Sequence, residues 1–150
     1  MLTCLIFAEL NEGSDASEEA ASLLLASVAF CRSHKLSPRG HLPRSMLTSY
    51  ARLSDALALM FTQQLPAEKI RHASYSQLPA QQTETLQLLR ATQLKACPAL
   101  FDADSALGNP GEARTAVQLT LATQASSPTL LFSGYKGQCW LQQVIPGERR

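Results

Sequence analysis

The sequence is poor in charged residues, and this limits the partners it can attract. Charged residues make up 17% of the 150 residues and the formal net charge is +1, whereas an average domain has roughly 25% charged residues. A nearly neutral chain has no global field that would collect nucleic acid or anionic lipid. Because few charges solvate the surface, we expect part of it to be buried against another protein or a second copy of the chain.

Motifs that mark several enzyme classes are missing. The sequence has no GxxxxGK[ST], no GxGxxG and no GxSxG, which are the loops that cradle phosphates or present a nucleophilic serine. The four cysteines, at positions 4, 31, 97 and 139, form no CxxC pair. Such spacing is typical of reduced thiols and does not suit a disulfide framework or a zinc site. We therefore predict a cytoplasmic protein without a metal or a cofactor.

The longest apolar run is too short to cross a membrane. It spans residues 21–31, about half of the roughly 20 residues that a membrane-spanning helix needs. Acidic residues precede it, where a signal peptide needs basic ones. We therefore expect no membrane association.

Hydrophobic patterning in the first two thirds of the chain predicts a strand followed by three helices. The alternation in residues 1–10 favours a strand that is buried on both faces. Helices are predicted over about 15–35, with Ser14 or Asp15 as its cap, over 43–64 and over 80–96. Prolines separate these helices, and residues 67–75 are predicted as a short helical turn.

The last third predicts strands. Residues 101–113 contain two glycines and a proline and are predicted as a loop. The alternation in residues 114–124 favours a half-buried strand, and two apolar runs on either side of GYKG favour a hairpin over 129–145. We predict one α+β domain over 1–150, with three helices on one face of a small antiparallel sheet. The C-terminal meander forms this sheet, and the N-terminal strand is a candidate for an added edge strand.

Two segments are candidate contact surfaces. Met46, Tyr50, Leu53, Leu57 and Met60 recur at helical spacing, which fits either a core stripe or a coiled-coil-like dimer seam. The hairpin tip offers a second contact, because aromatic side chains are enriched at contact cores, although GYKG also fits a plain turn anchored by the only tryptophan. The hairpin residues concerned are Tyr135, Lys136 and Trp140.

Other polar residues give weaker candidates. A basic segment over residues 32–44 could hold phosphate groups; it contains Arg32, Lys35, Arg39 and Arg44. Cys31 and His34 lie three residues apart, the spacing of a possible thiolate–imidazole pair on a helix. Asp102 and Asp104 resemble the start of a calcium loop, but Ala106 interrupts the oxygen ligands, so we reject a calcium site.

The absence of a complete catalytic set favours a non-enzymatic, dimeric interaction protein, such as an adaptor, a chaperone-like escort or a regulatory subunit. Two alternatives stay open. One is a nucleic-acid- or phosphate-binding module that uses residues 32–44. The other is a thiol-dependent enzyme that uses Cys31.

Overall fold

The computed structural model describes residues 1–9, 19–108 and 113–147. The α-helices of this part are α1 Val28–Ser33, α2 Leu53–Gln63, α3 Ala80–Thr92, α4 Ala103–Leu107 and α5 Arg114–Gln124. The strands are β1 Leu2–Glu9, β2 Glu19–Ala26, β3 Gly40–His41, β4 Met46–Ser49, β5 His72–Ser76, β6 Leu100–Asp102, β7 Thr129–Tyr135 and β8 Gln138–Pro146. The predicted α+β class is confirmed. In this part of the chain, no helix is long and apolar enough to span a membrane.

The main sheet is mixed, which corrects the predicted antiparallel sheet. Its strand order is β3-β8-β7-β5-β6, and β4 also pairs with β8. β7 and β8 form the predicted antiparallel hairpin, but β5 pairs in parallel with both β6 and β7. The parallel pairs arise because helices connect these strands, and parallel strands need such long crossovers.

Helices cover both faces of this sheet, so the prediction of helices on one face is wrong. The buried residues of α2 and α3 pack with Leu130, Phe132 and Leu141 in the main core. On the opposite face, Ala122 of α5 packs with Leu131 and Val144. Neighbouring residues of β7 therefore face different helices, as the period of two in a strand requires.

The N-terminal segment forms a separate two-stranded sheet. β1 pairs antiparallel with β2, from Leu2 opposite Ala26 to Glu9 opposite Glu19, and in the described part of the chain it adds no edge to the main sheet. α5 contacts β2 on one side and β7 and β8 on the other, so it lies between the two sheets.

Much of this hairpin is exposed, which corrects the prediction of a strand buried on both faces. The predicted helix over 15–35 is β2 followed by the short α1. β2 forms because its apolar residues pair along β1, and an apolar run alone does not distinguish a helix from a strand. The predicted caps at Ser14 and Asp15 lie outside the described residues.

Three other segments differ from the predictions. The helix predicted over 43–64 begins as strand β4 and becomes α2 only at Leu53. The short helical turn predicted over 67–75 is present as a 3-10 turn over Ala67–Lys69, but strand β5 begins at His72. Residues 114–124 form helix α5 instead of a strand. The helix predicted over 80–96 is confirmed as α3, and part of the predicted loop over 101–113 is β6 and α4.

Candidate functional site

The connections around β5 create a place where a ligand can bind. From β5 the chain crosses through α3 to β6 on one side, and from β6 it returns through α5 to β7 on the other side. In sheets with parallel strands, ligands bind at the carboxyl ends of strands where the connections diverge in this way. The carboxyl ends of β5 and β7 are therefore the expected location of a site.

A cavity of about 300 Å³ lies at these strand ends. Gln77 follows β5, Thr115 lies in the first turn of α5, and Leu47 on β4 pairs with Trp140 on β8. Trp140 pairs in turn with Ser133 of β7. The cavity combines a few polar groups with a larger apolar wall, the usual composition of a small-molecule site. Its lining residues are Leu47, Gln77, Thr115, Ser133, Gly134, Tyr135 and Trp140.

Hydrogen-bonded side chains join α5 to the sheet beneath the cavity. The Ser76 hydroxyl donates to Oε1 of Gln118 at 3.0 Å, and its oxygen lies 3.4 Å from the Ser133 hydroxyl. The Ser133 hydroxyl also lies 3.2 Å from the Thr115 hydroxyl, and Nε2 of Gln118 donates to Ser74 at 3.4 Å. Because buried polar groups are costly unless they are paired, this network fixes how α5 lies on the sheet.

Gly134 allows an unusually close approach of β7 to the chain that follows β5. A Cβ atom at Gly134 would lie 1.9 Å from the backbone oxygen of Gln77. Gln77 itself has φ +55°, a left-handed conformation that costs a non-glycine residue roughly 1–2 kcal/mol. Residues held in such conformations cluster at functional sites. The conformation of Gln77 therefore supports the cavity as a candidate functional site.

An ion pair holds Gln77 in place from the other side. The Gln77 N–H donates to Oδ2 of Asp104 at 2.8 Å, and the other oxygen of Asp104 pairs with Arg114. The Arg114 side chain is only 3% exposed, and it also donates to the Gly108 carbonyl at 2.6 Å. Asp102 caps α4 by accepting from the N–H groups of Asp104 and Ser105. The loop after β5 is thus tied to α4 and to the start of α5.

The cavity lining lacks the groups that usually act as nucleophiles or bases near neutral pH, because none of the seven residues is a cysteine, histidine or carboxylic acid. Cys139 is near in sequence but is buried in the core on the opposite face of the sheet. Burial raises the pKa of its thiol to about 12, so it stays protonated and unreactive. The polar side chains of the lining are three hydroxyls and one carboxamide.

The contact residues predicted from sequence fall into two groups. Leu53, Leu57 and Met60 are buried in the core of this chain, and Met46 and Tyr50 pack against it half-buried. The hairpin group borders the cavity: Tyr135 and Trp140 line it, while the Nζ atom of Lys136 lies 5.2 Å from the centre of the Tyr135 ring. The role of these residues as partner contacts stays a prediction.

The other predicted groups lie away from the cavity lining. Arg32 is on α1, Lys35 follows it with φ +53°, and the Arg39 and Arg44 carbonyls accept bonds from Gly147 and Gln64. Phosphate binding by this segment stays a prediction.

The predicted thiolate–imidazole pair is not formed by a hydrogen bond in the described part of the chain. Nδ1 of His34 lies 2.9 Å from the Ser33 hydroxyl and 3.0 Å from the Phe30 carbonyl, and its ring stacks on Phe30. Cys31 is half-buried on α1, and its role as a nucleophile stays a prediction.

Sequence reasoning missed most of the cavity. Gln77, Thr115 and Ser133 belong to common residue types without a motif, and Thr115 was assigned to a strand. Only the glycines of the hairpin indicated this location in the sequence. A glycine allows two backbone segments to approach closely, and Gly134 makes such an approach to Gln77.

No family model and no curated protein match this sequence. Among solved structures, the chain resembles a type II polyketide synthase complex of an acyl-carrier protein with its ketosynthase bound to the hexaketide. The TM-score is 0.70 at 11% identity, over 90% of this chain and 42% of the other. It also resembles a thiolase from Ascaris suum in complex with coenzyme A, with a TM-score of 0.65 at 15% identity over 85% of this chain and 36% of the other.

These similarities establish a thiolase- and ketosynthase-like fold. The chain spans less than half the length of either matched chain. They contradict the expected non-enzymatic adaptor, escort or regulatory subunit, because this is the fold of named enzymes. Of the functions predicted from sequence, the alternative of a thiol-dependent enzyme is closer to them.

Proposed function

We propose that the chain is one part of a condensing-type enzyme of the thiolase and ketosynthase kind, and that its cavity at the strand ends binds the acyl group of a thioester. The observation that carries this proposal is the fold similarity over 85–90% of the chain to a ketosynthase complex and to a thiolase. The cavity lies at the strand ends where such a sheet binds its ligands.

The chemistry of the cavity suits an acyl thioester. Leu47, Trp140 and the ring of Tyr135 offer apolar surface to an alkyl or polyketide chain. The hydroxyl of Thr115 and the carboxamide of Gln77 can donate hydrogen bonds to a carbonyl oxygen. The lining carries no full charge, which matches a neutral acyl group better than a free carboxylate.

The residues of the cavity lining limit the part that this chain plays in the proposed condensation reaction. Condensation of thioesters by covalent catalysis needs a thiolate to accept the acyl group, and no cysteine lines the cavity. Both matched chains extend well beyond the region that this chain covers. We therefore assign binding of the acyl group to this chain, and the thiolate to a further part of the enzyme.

Trp140 provides a direct test, because it is the only tryptophan and it lines the cavity. A titration with hexanoyl-CoA should change its fluorescence, whereas coenzyme A alone and hexanoate should act much more weakly. Thr115→Ala removes one hydrogen bond and should weaken binding by about fivefold. Thr62→Ala is the matched control on an exposed turn of α2, and it should leave binding unchanged.

Failure to bind would refute the proposal. If hexanoyl-CoA changed neither the fluorescence nor the melting temperature at about 1 mM, acyl binding would be wrong. Equal binding of hexanoate would show that the thioester is not recognised. A stable acyl adduct that disappears in Cys31→Ser would instead assign the nucleophile to this chain.

A further inference from the structure

A single carboxylate outside the cavity connects the two polar sides of its lining. Oδ2 of Asp104 accepts from the Gln77 N–H at 2.8 Å, and Oδ1 pairs with the guanidinium of Arg114. Gln77 lines the cavity after β5, and Thr115, the residue that follows Arg114, lines it from the first turn of α5. Asp104 does not line the cavity itself. It therefore contacts the supports of two lining residues from behind.

Two contacts fix the position of this carboxylate. The N–H of Asp104 donates at 3.0 Å to Oδ1 of Asp102, the residue that caps α4. Arg114 is only 3% exposed, and a buried charge that loses its partner is strongly destabilising. The ion pair therefore keeps the Asp104 carboxylate beside the start of α5, with its second oxygen directed at the Gln77 N–H.

The bond from Asp104 also bears on the conformation of Gln77. The φ angle of Gln77 is +55°, which a non-glycine residue keeps only where its surroundings hold it. Asp104 binds its N–H, and on the carbonyl side Gly134 leaves the space that the Gln77 oxygen occupies. The rotamers open to a side chain depend on the backbone angles. The same bond thus fixes the direction in which the Gln77 side chain leaves the backbone.

We propose that Asp104 is a positioning residue for the carbonyl group of the acyl ligand, because it sets the spacing between Gln77 and Thr115. This inference rests on the proposed binding of an acyl thioester in the cavity. Groups that are placed before the ligand arrives bind it more tightly than groups that must be ordered by it, since ordering costs free energy. The apolar wall has no contact with Asp104 in this scheme. Asp104 should therefore govern recognition of the carbonyl and leave binding of the alkyl chain unchanged.

The chemistry of the two contacts requires a carboxylate. An ionised carboxylate has two acceptor oxygens and no donor, so it can accept from the Gln77 N–H and from Arg114 together. Asparagine has the same shape but only one acceptor oxygen, and its NH2 group would face one of the two donors. Asp104→Asn should consequently lose one of the contacts, and Asp104→Ala loses both.

Calorimetric titration of the full chain with two ligands tests the proposal. One ligand is hexanoyl-CoA. The other is S-hexyl-coenzyme A, a thioether with the same chain and the same carrier but without the carbonyl oxygen. The wild type should bind hexanoyl-CoA at least about fivefold more tightly, which corresponds to one neutral hydrogen bond. Asp104→Ala and Asp104→Asn should reduce this preference to less than about twofold, and they should leave the affinity for S-hexyl-coenzyme A unchanged.

Gln143→Ala is the matched control. Gln143 also holds a loop by side-chain bonds to its backbone: Oε1 accepts from the Leu65 N–H at 3.1 Å, and Nε2 donates to the Leu65 carbonyl at 2.8 Å. It pairs with Leu130, towards the end of β7 that lies away from the cavity. Gln143→Ala should lower the melting temperature and keep the wild-type preference for hexanoyl-CoA. This control separates positioning from a general loss of stability.

Amide hydrogen exchange gives a second measurement that needs no ligand. An N–H that is held by a hydrogen bond exchanges slowly. The Gln77 amide should therefore be protected in the wild type and in Gln143→Ala, and it should lose its protection in Asp104→Ala.

The outcomes distinguish this inference from the proposed function. If Asp104→Ala kept the wild-type preference, or if its Gln77 amide stayed protected, positioning by Asp104 would be wrong and acyl binding would stand. The same holds if the wild type bound both ligands equally, or if Gln143→Ala lost the preference as fully as Asp104→Ala. A wild type that bound neither ligand would overturn the proposed function together with this inference.

Discussion

Replacing Gly134 by alanine tests the geometry on which the cavity depends. The added Cβ would lie 1.9 Å from the Gln77 backbone oxygen, 2.7 Å from its carbonyl carbon and 3.2 Å from the Tyr50 hydroxyl. Overpacking costs typically 1–3 kcal/mol. Because the nearest neighbour is backbone and cannot rotate away, we expect the upper end, about 3 kcal/mol. For a chain of this length that corresponds to a decrease in melting temperature of roughly 6–12 °C.

Gly137→Ala is the matched control in the same hairpin. A Cβ at Gly137 would meet no atom within 4 Å, but Gly137 has φ +76°, which costs alanine about 1–2 kcal/mol. Calorimetry should therefore show a smaller decrease than for Gly134→Ala. Hexanoyl-CoA should still bind to Gly137→Ala and should bind poorly to Gly134→Ala. If Gly134→Ala melted within about 2 °C of the wild type and bound the ligand normally, the close approach of β7 to Gln77 would be refuted.

Three further predictions follow from burial and charge. Leu53→Asp should unfold the chain, because Leu53 is 1% exposed in the main core and a buried unpaired carboxylate is very costly; a folded variant by circular dichroism would contradict this. Asp104→Ala should lower the free energy of unfolding in urea by about 2 kcal/mol, because it leaves the buried Arg114 without its carboxylate. Breaking a fully buried ion pair costs about 3–5 kcal/mol, and the cost here is smaller because Asp104 is partly exposed. The pKa of the Cys139 thiol is about 12 in the folded chain and 9.0 in the unfolded chain. The stability that the protonated, buried thiol contributes to the fold is therefore complete below pH 9 and is lost as the pH rises towards 12. Between pH 8 and pH 10, Cys139→Ala should therefore lose about 1.4 kcal/mol less stability than the wild type, and equal losses would refute the buried thiol.

The error over residues 114–124 shows how tertiary packing changes a sequence pattern. Val117, Leu119 and Leu121 alternate and suggested a strand, but Leu121 is 49% exposed on helix α5. The side of α5 that faces the sheet includes Gln118, which bonds to serines of β5. A helix whose buried side is partly polar lacks the apolar period that identifies it.

The helix seam illustrates a different limit. Leu53, Leu57 and Met60 have helical spacing and lie in the core, so their spacing predicted the helix over that part. Met46 has the same apparent period but belongs to strand β4, which pairs with β8. Pairing between segments nearly 100 residues apart leaves no local signal, because strand formation depends on the partner strand.

The sequence by itself determined the α+β class, helix α3, the second half of the 43–64 helix and the C-terminal hairpin, because each has a local period or turn residues that act over a few positions. Only the tertiary structure decided the parallel pairing of β5, the helices on both faces and the cavity. Its lining comes from segments between Leu47 and Trp140, and their common residue types gain meaning only when the sheet brings them together.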